Sequence, residues 1–147
     1  MSQAATVRAL IAQQARTQPQ ALYAVATETA DRIDYAGLEQ QCQRVATLLL
    51  AQGTQPGDTV SLVMPNGLNT LRLLLGALHG GWCVNPVNLL SSAEQMRYVL
   101  EHSDCKLVIA SPEWADTVRA VIATLERPVA LLVCSADFDA ADDPLPA

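Results

Sequence analysis

The feature that most constrains this chain is a rhythm running from residue 59 to residue 134, in which short β-branched apolar runs alternate with helical stretches. Residues 59–64 form such a run, ended by Pro65, and a helical segment over 67–79 follows, stopped by Gly80 and Gly81. A strand at 82–85 precedes a helix at 93–102, where Ser92 and Gln95 have the spacing of a capping box. A third pair covers 106–110 and 112–125, and 129–134 supplies a further strand. Strands separated by helices of this length cannot be joined by tight hairpins, so they call for parallel pairing through right-handed crossovers. The expected fold class is α/β, a three-layer arrangement with a mainly parallel sheet flanked by helices.

Ahead of that rhythm, Val7, Leu10 and Ile11 repeat at helical spacing up to Pro19, and 21–27 with 32–33 suggest two short strands around a polar turn. Asp34 can cap the next helix, whose stripe is Leu38, Val45, Leu48 and Leu49, with Gly53 placed as a left-handed C′ residue. Residues 1–134 are expected to form one α/β subdomain, and 135–147 an acidic, proline-containing linker or tail. Hydrophobic residues make up 50% of the chain but aromatics only 4%, so aliphatic side chains must fill the core.

The formal net charge is −6, yet Asp137, Asp139, Asp142 and Asp143 all lie at the carboxyl-terminal end, leaving the body near −2. A nearly neutral body with no basic stripe excludes nucleic acid as a partner. Cys42, Cys83, Cys105 and Cys134 show no C-x-x-C pairing and read as reduced small core residues, and neither His79 nor His102 is spaced from them as a zinc ligand would be. The most apolar stretch, 68–84, is interrupted by Asn69, Arg72, His79 and two glycines, so no membrane span is expected and the localisation expected is cytoplasmic.

Ligands of open α/β sheets gather beyond the carboxyl ends of the strands, which here fall at Pro65 with Asn66, Asn85 with Pro86, Ser111, and Ser135. Recognisable chemistry is scarce there. Neither a G-x-G-x-x-G nor a Walker-type loop occurs, and no nucleophile elbow is present. Lys106, the one lysine, reads as a snorkelling residue at the edge of the sheet. His79 and His102 both end helices, where the partial negative charge favours an imidazolium, so each is a helix cap before it is a catalyst. Asn66 reads as the cap of the helix beginning at Gly67, although it could present its amide to a ligand; Trp82 and Trp114 are expected as core aromatics or as pocket walls.

Several short motifs occur in a fixed order: Asp34-Tyr35-Ala36-Gly37-Leu38, then Val45-Ala46 and Leu49, then Gly53-Thr54-Gln55-Pro56-Gly57-Asp58-Thr59-Val60 and Met64-Pro65-Asn66. Gly80-Gly81, Asn85-Pro86-Val87-Asn88 and Tyr98-Val99-Leu100 complete the series. In this order and spacing they resemble the start of the adenylate-forming (AMP-binding) enzymes, the family of acyl-coenzyme A synthetases, luciferases and peptide-synthetase adenylation domains. The chain departs from the family pattern at Asp34, Gly37 and Leu89, where Thr, Glu and a second Pro are common. These changes touch one cap and one loop.

The resemblance implies the amino-terminal part of an ATP-dependent acyl- or aryl-coenzyme A ligase. ATP and a small-molecule carboxylate would give an acyl-adenylate, and coenzyme A would then displace AMP, with magnesium assisting the first step. Asp142-Asp143-Pro144 resembles the stretch just before the family's Ser/Thr/Gly-rich phosphate loop, which has no match here, nor has the catalytic lysine. No catalytic, cofactor-binding or metal-binding residue is therefore assigned, and the chain by itself is expected to be inactive, with ATP, magnesium and coenzyme A belonging to the full-length parent. The remainder of that ligase is the expected partner, along with further copies of the chain through exposed apolar surface. A free-standing binding or interaction module derived from the same subdomain is the alternative.

Overall fold

Residues 59–63 and 107–110 carry no charged side chain, and they become the two central strands of a four-stranded sheet, buried on both faces. The structure, a computed structural model, describes residues 5–137. Along the chain lie α1 (Val7–Thr17), β1 (Leu22–Val25), β2 (Arg32–Asp34), α2 (Tyr35–Ala51), β3 (Thr59–Val63) and α3 (Leu68–Gly80). They are followed by β4 (Cys83–Pro86), α4 (Ala93–His102), β5 (Leu107–Ala110), α5 (Pro112–Ile122) and β6 (Ala130–Val133). The sheet order is β4-β3-β5-β6 with every pair parallel, while β1 and β2 form a separate antiparallel hairpin. The α/β, three-layer arrangement read from the sequence is the observed one.

Alternation along the central strands divides the core in two. Val60, Leu62, Leu107 and Ile109 face α2 and α3, where they meet Val45, Leu48, Leu49 and Leu73. Val63, Val108 and Ala110 face the opposite way, onto Met96, Leu100 and Val118 of α4 and α5. Sandwiching both faces requires helices on both sides, which is why β5 reads as a continuous apolar run and β3 is interrupted only by the small hydroxyl residues Thr59 and Ser61.

Local chemistry explains most element ends. The Asp34 side chain accepts a 2.7 Å hydrogen bond from the Gly37 amide, and Gly53 adopts φ +85° just past α2. Ser92 and Gln95 form the reciprocal capping box at 2.9 and 3.2 Å. Helices α2 and α3 approach so closely that a Cβ on Gly76 would lie 2.4 Å from the Val45 Cβ. Trp82 is buried beneath this pair, its indole N–H donating to Thr54 Oγ1 at 3.0 Å, so it serves the core.

Two local expectations are corrected. Lys106 does not flank an edge strand, since its amide donates to Thr59 O at 2.9 Å and its carbonyl accepts from Ala130 at 3.0 Å, one neighbour on each side. Asn66 does not cap α3; the N-cap position is Gly67, and no side chain caps the helix. Ser135 and Ala136, at the start of the expected tail, are held against α3, with Ala136 buried. Asp139 and the Asp142-Asp143-Pro144 stretch lie outside the described residues.

Candidate functional site

All four parallel strands release the chain at one edge of the sheet, the location open α/β folds use for ligands. Beyond β3, Thr70 Oγ1 holds the Pro65 carbonyl at 2.7 Å, and beyond β4 the Val87 amide donates to Leu62 O at 2.9 Å. Between these exits is a cleft of about 500 Å³ lined by Met64, Pro65, Asn66, Thr70, Asn88 and Leu89 among others. Asn85 Nδ2 donates to the buried Ser61 Oγ at 3.2 Å, and Asn88 Oδ1 accepts from the Leu90 amide at 3.0 Å. The cleft lining is uncharged. Ser111, at the β5 exit, is buried and its hydroxyl has no hydrogen-bond partner among the described residues.

Moving a phosphoryl-linked group needs concentrated positive charge and cradling amides. Lys106 stands at the entry end of β5, roughly 13 Å of strand away from the exit edge. Among the described residues no three His, Cys, Asp or Glu side chains come together as a metal site. These residues do not by themselves fit an ATP–magnesium group. No helix among them is long and apolar enough to cross a membrane.

The β6 exit holds a polar cluster that inspection of single motifs misses. Asn69, buried in the first turn of α3, donates from Nδ2 to the Ser135 carbonyl at 2.6 Å and, more weakly, to Cys134 Sγ at 3.8 Å. Its Oδ1 accepts from Arg72 Nη1 at 2.9 Å, and Arg72 Nε donates to Gln41 Oε1 of α2 at 2.7 Å. Arg72, itself buried, also borders a second cavity of about 430 Å³ between α2, α3 and the hairpin, together with Arg32, Asp34 and Gln41. The sequence signal was present: Asn69 and Arg72 interrupt an apolar helix at i, i+3 spacing, on one face.

The remaining candidates are dispersed. His79 is buried at the end of α3, where desolvation, reinforced by Arg8 and opposed by Glu39, holds its pKa below the ordinary value. Burial therefore overrides the helix-end preference for imidazolium expected from position alone. His102 is exposed and stacks on Tyr98, ring centroids 3.9 Å apart. Trp114 is half-buried against the α4/α5 core. Burial, with Glu39 nearby and despite Arg72, pushes the Cys42 thiol up to about 11; burial also raises Cys134, although Arg72 and the Asn69 amide oppose it. Cys105 is buried, but Cys83 is exposed, which departs from the core placement expected of all four cysteines.

Comparison with known proteins matches residues 11–147 to the family described as AMP-binding enzyme. Over 132 residues the chain is 35% identical to a sulfoacetate–CoA ligase of Cupriavidus necator, covering 90% of this chain and 26% of the ligase. An uncharacterized protein of Mycobacterium tuberculosis is 40% identical over 87 residues, covering 59% of this chain and 48% of that protein. The crystal structure of the inhibitor-bound N-terminal domain of FACL13 from the same organism superimposes with a TM-score of 0.79 at 28% identity, covering 88% of this chain and 33% of that one. The chain thus spans about a quarter of the length of the sulfoacetate–CoA ligase it matches.

Proposed function

The chain belongs to the AMP-binding enzyme family and corresponds to the amino-terminal part of its acyl-coenzyme A synthetases, and from that premise we propose that it is the scaffold of an ATP-dependent carboxylate–coenzyme A ligase. The parent takes ATP, magnesium, coenzyme A and a small carboxylate, and it acts in the cytoplasm. Residues 1–134 form its first subdomain, and 135–147 lead toward the remainder of the ligase, the subdomain's partner. One observation carries this reading, the ligase likeness over 90% of the chain, and the cleft between the β3 and β4 exits has no charged lining residue to supply the charge adenylation requires. Its role is to position the parts that supply that charge.

The isolated 147-residue chain is accordingly inactive. ATP–pyrophosphate exchange with a panel of carboxylates, including sulfoacetate, fatty acids and aromatic acids, should give no signal above a no-protein control. Exchange by the chain alone would overturn the claim.

A second reading draws on one specific relative. The uncharacterized mycobacterial protein shares 87 residues at 40% identity, 59% of this chain and nearly half of that protein, so a large part of the subdomain also occurs in a protein much shorter than a ligase. That favours a free-standing binding module. Reading the gene beyond codon 147 separates the two, because a Ser/Thr/Gly-rich loop with a lysine identifies a ligase.

A further inference from the structure

Helix α3 lacks a side-chain cap, yet its first turn is buried, and backbone amides left unpaired there would be costly. The missing acceptor comes from the far end of the chain. The Ala136 carbonyl, just beyond β6, accepts from the amides of Asn69 at 2.9 Å and Thr70 at 3.3 Å. It lies where the helix dipole is positive and favours an acceptor. Gly67 makes room for this crossing: a Cβ there would lie 2.2 Å from the Ala136 oxygen and 2.7 Å from its carbon.

We infer that Asn69, braced by Arg72 and Gln41, is a positioning residue that fixes the direction in which the polypeptide leaves the sheet after β6. Three contacts of one residue converge on that exit. The Asn69 backbone amide holds Ala136, its Nδ2 holds Ser135 at 2.6 Å, and its Oδ1 is fixed by Arg72, which reaches across to Gln41 on α2. A side chain tied at both ends of its amide has one orientation, so the crossing strand has one path. The path runs over the α3 amino terminus beside the β3 exit, on the edge of the sheet where ligands of such folds collect. Whatever follows residue 137 is launched from that point. On the ligase reading, which this inference rests on, a misdirected launch displaces the adenylation parts supplied by the rest of the protein.

The test uses the ligase to which the chain belongs, and the chain itself. Asn69→Leu removes the side-chain contacts at similar volume, and Gly67→Ala obstructs the crossing without touching them. Val118→Ala, in the core on the opposite face of the sheet, serves as a stability control. In exchange assays below the melting range, both exit variants should lose on the order of tenfold or more in kcat with KM for ATP nearly unchanged, since misplacement costs rate. Val118→Ala should keep its kcat despite an equal or greater loss of thermal stability. In the 147-residue chain, hydrogen exchange at the Asn69 and Thr70 amides should accelerate in both exit variants. Variants with undiminished kcat, or with losses that merely track the melting temperature as in the control, overturn the inference. A wild-type ligase without exchange activity sinks the ligase reading instead, and faster amide exchange in the variants still reports on the crossing. If Asn69→Leu fails to fold, Gly67→Ala carries the test alone.

Discussion

Replacing Gly76 with alanine tests how tightly α2 and α3 are joined, because these helices form the layer on which the β6 exit rests. The added methyl would lie 2.4 Å from Val45 Cβ and 2.7 and 2.8 Å from its two γ-carbons. Val45 is buried and β-branched, so it has no free rotamer to retreat into. Forcing a methyl into such a contact costs about 1–3 kcal/mol, and the short Cβ–Cβ distance puts this site toward the upper end. Alanine returns about 1 kcal/mol over glycine through helix propensity. The net loss should be about 1–2 kcal/mol, or a fall in melting temperature of about 2–4 °C for each kcal/mol at this chain length. Urea unfolding followed by the fluorescence of Trp82 and Trp114 and by far-ultraviolet circular dichroism measures it, provided the two transitions coincide. Val45→Ala keeps the Cβ that makes the closest contact, so most of the Gly76→Ala penalty should persist in that background. A neutral or stabilising Gly76→Ala would refute the packing argument, and complete rescue by Val45→Ala would show that the γ-carbons, rather than the helix backbones, set the spacing.

Three further outcomes follow from burial and exposure. His79 has a folded pKa below its ordinary 6.5, so its stabilising contribution is full above that value and is lost as pH falls from there through the lower folded pKa. The urea midpoint of the wild type should therefore drop more between pH 7.5 and pH 5.5 than that of His79→Gln, and equal drops would contradict the assignment. With iodoacetamide at pH 8, mass spectrometry should find Cys83 alkylated first and Cys42, buried with its thiol at about 11, unmodified until the chain unfolds. Early labelling of Cys42 would place it at the surface. Leu90 is 92% exposed, and Leu22 and Leu50 are each more than half exposed, so light scattering of the isolated chain at high concentration should show a dimer or larger species; a strictly monomeric result counts against apolar association.

What the sequence disclosed was whatever depends on neighbours a few residues apart. The Asp34 cap, the Ser92–Gln95 box, the left-handed Gly53 and the Leu38, Val45, Leu48, Leu49 stripe all depend on local helical geometry, and each appears where the spacing places it. The strand–helix rhythm sufficed for a parallel sheet, since crossover length alone excludes hairpins. It could not show the order β4-β3-β5-β6, which sets β5 between two strands and moves Lys106 from the expected edge into the interior ladder. His79 differs for a related reason: the helix-end rule sees a local dipole, whereas burial, reinforced by Arg8 of α1 and opposed by Glu39 of α2, lowers the imidazole's pKa.

The error at Asn66 has a cause that reaches into function. A polar residue just before α3 suggests a local cap, whereas the acceptor is the Ala136 carbonyl, some seventy residues onward and brought back by three crossovers. The same return explains why Asn69 and Arg72 looked only like flaws in an apolar helix, since their partners lie on α2 and beyond β6. Burying an arginine and an amide carries a desolvation cost, which only a satisfied network offsets. A hydrophobic pair at these two positions would have packed α3 more simply, but it could not hold Ser135 through a side-chain amide. The polar cluster is therefore best understood as directional: hydrophobic contact fixes how closely two segments pack, whereas a braced amide also fixes the angle at which one leaves the other. On the ligase reading proposed above, that angle matters where Ser135 and Ala136 pass over the start of α3, because misplacing the segments that follow would cost rate.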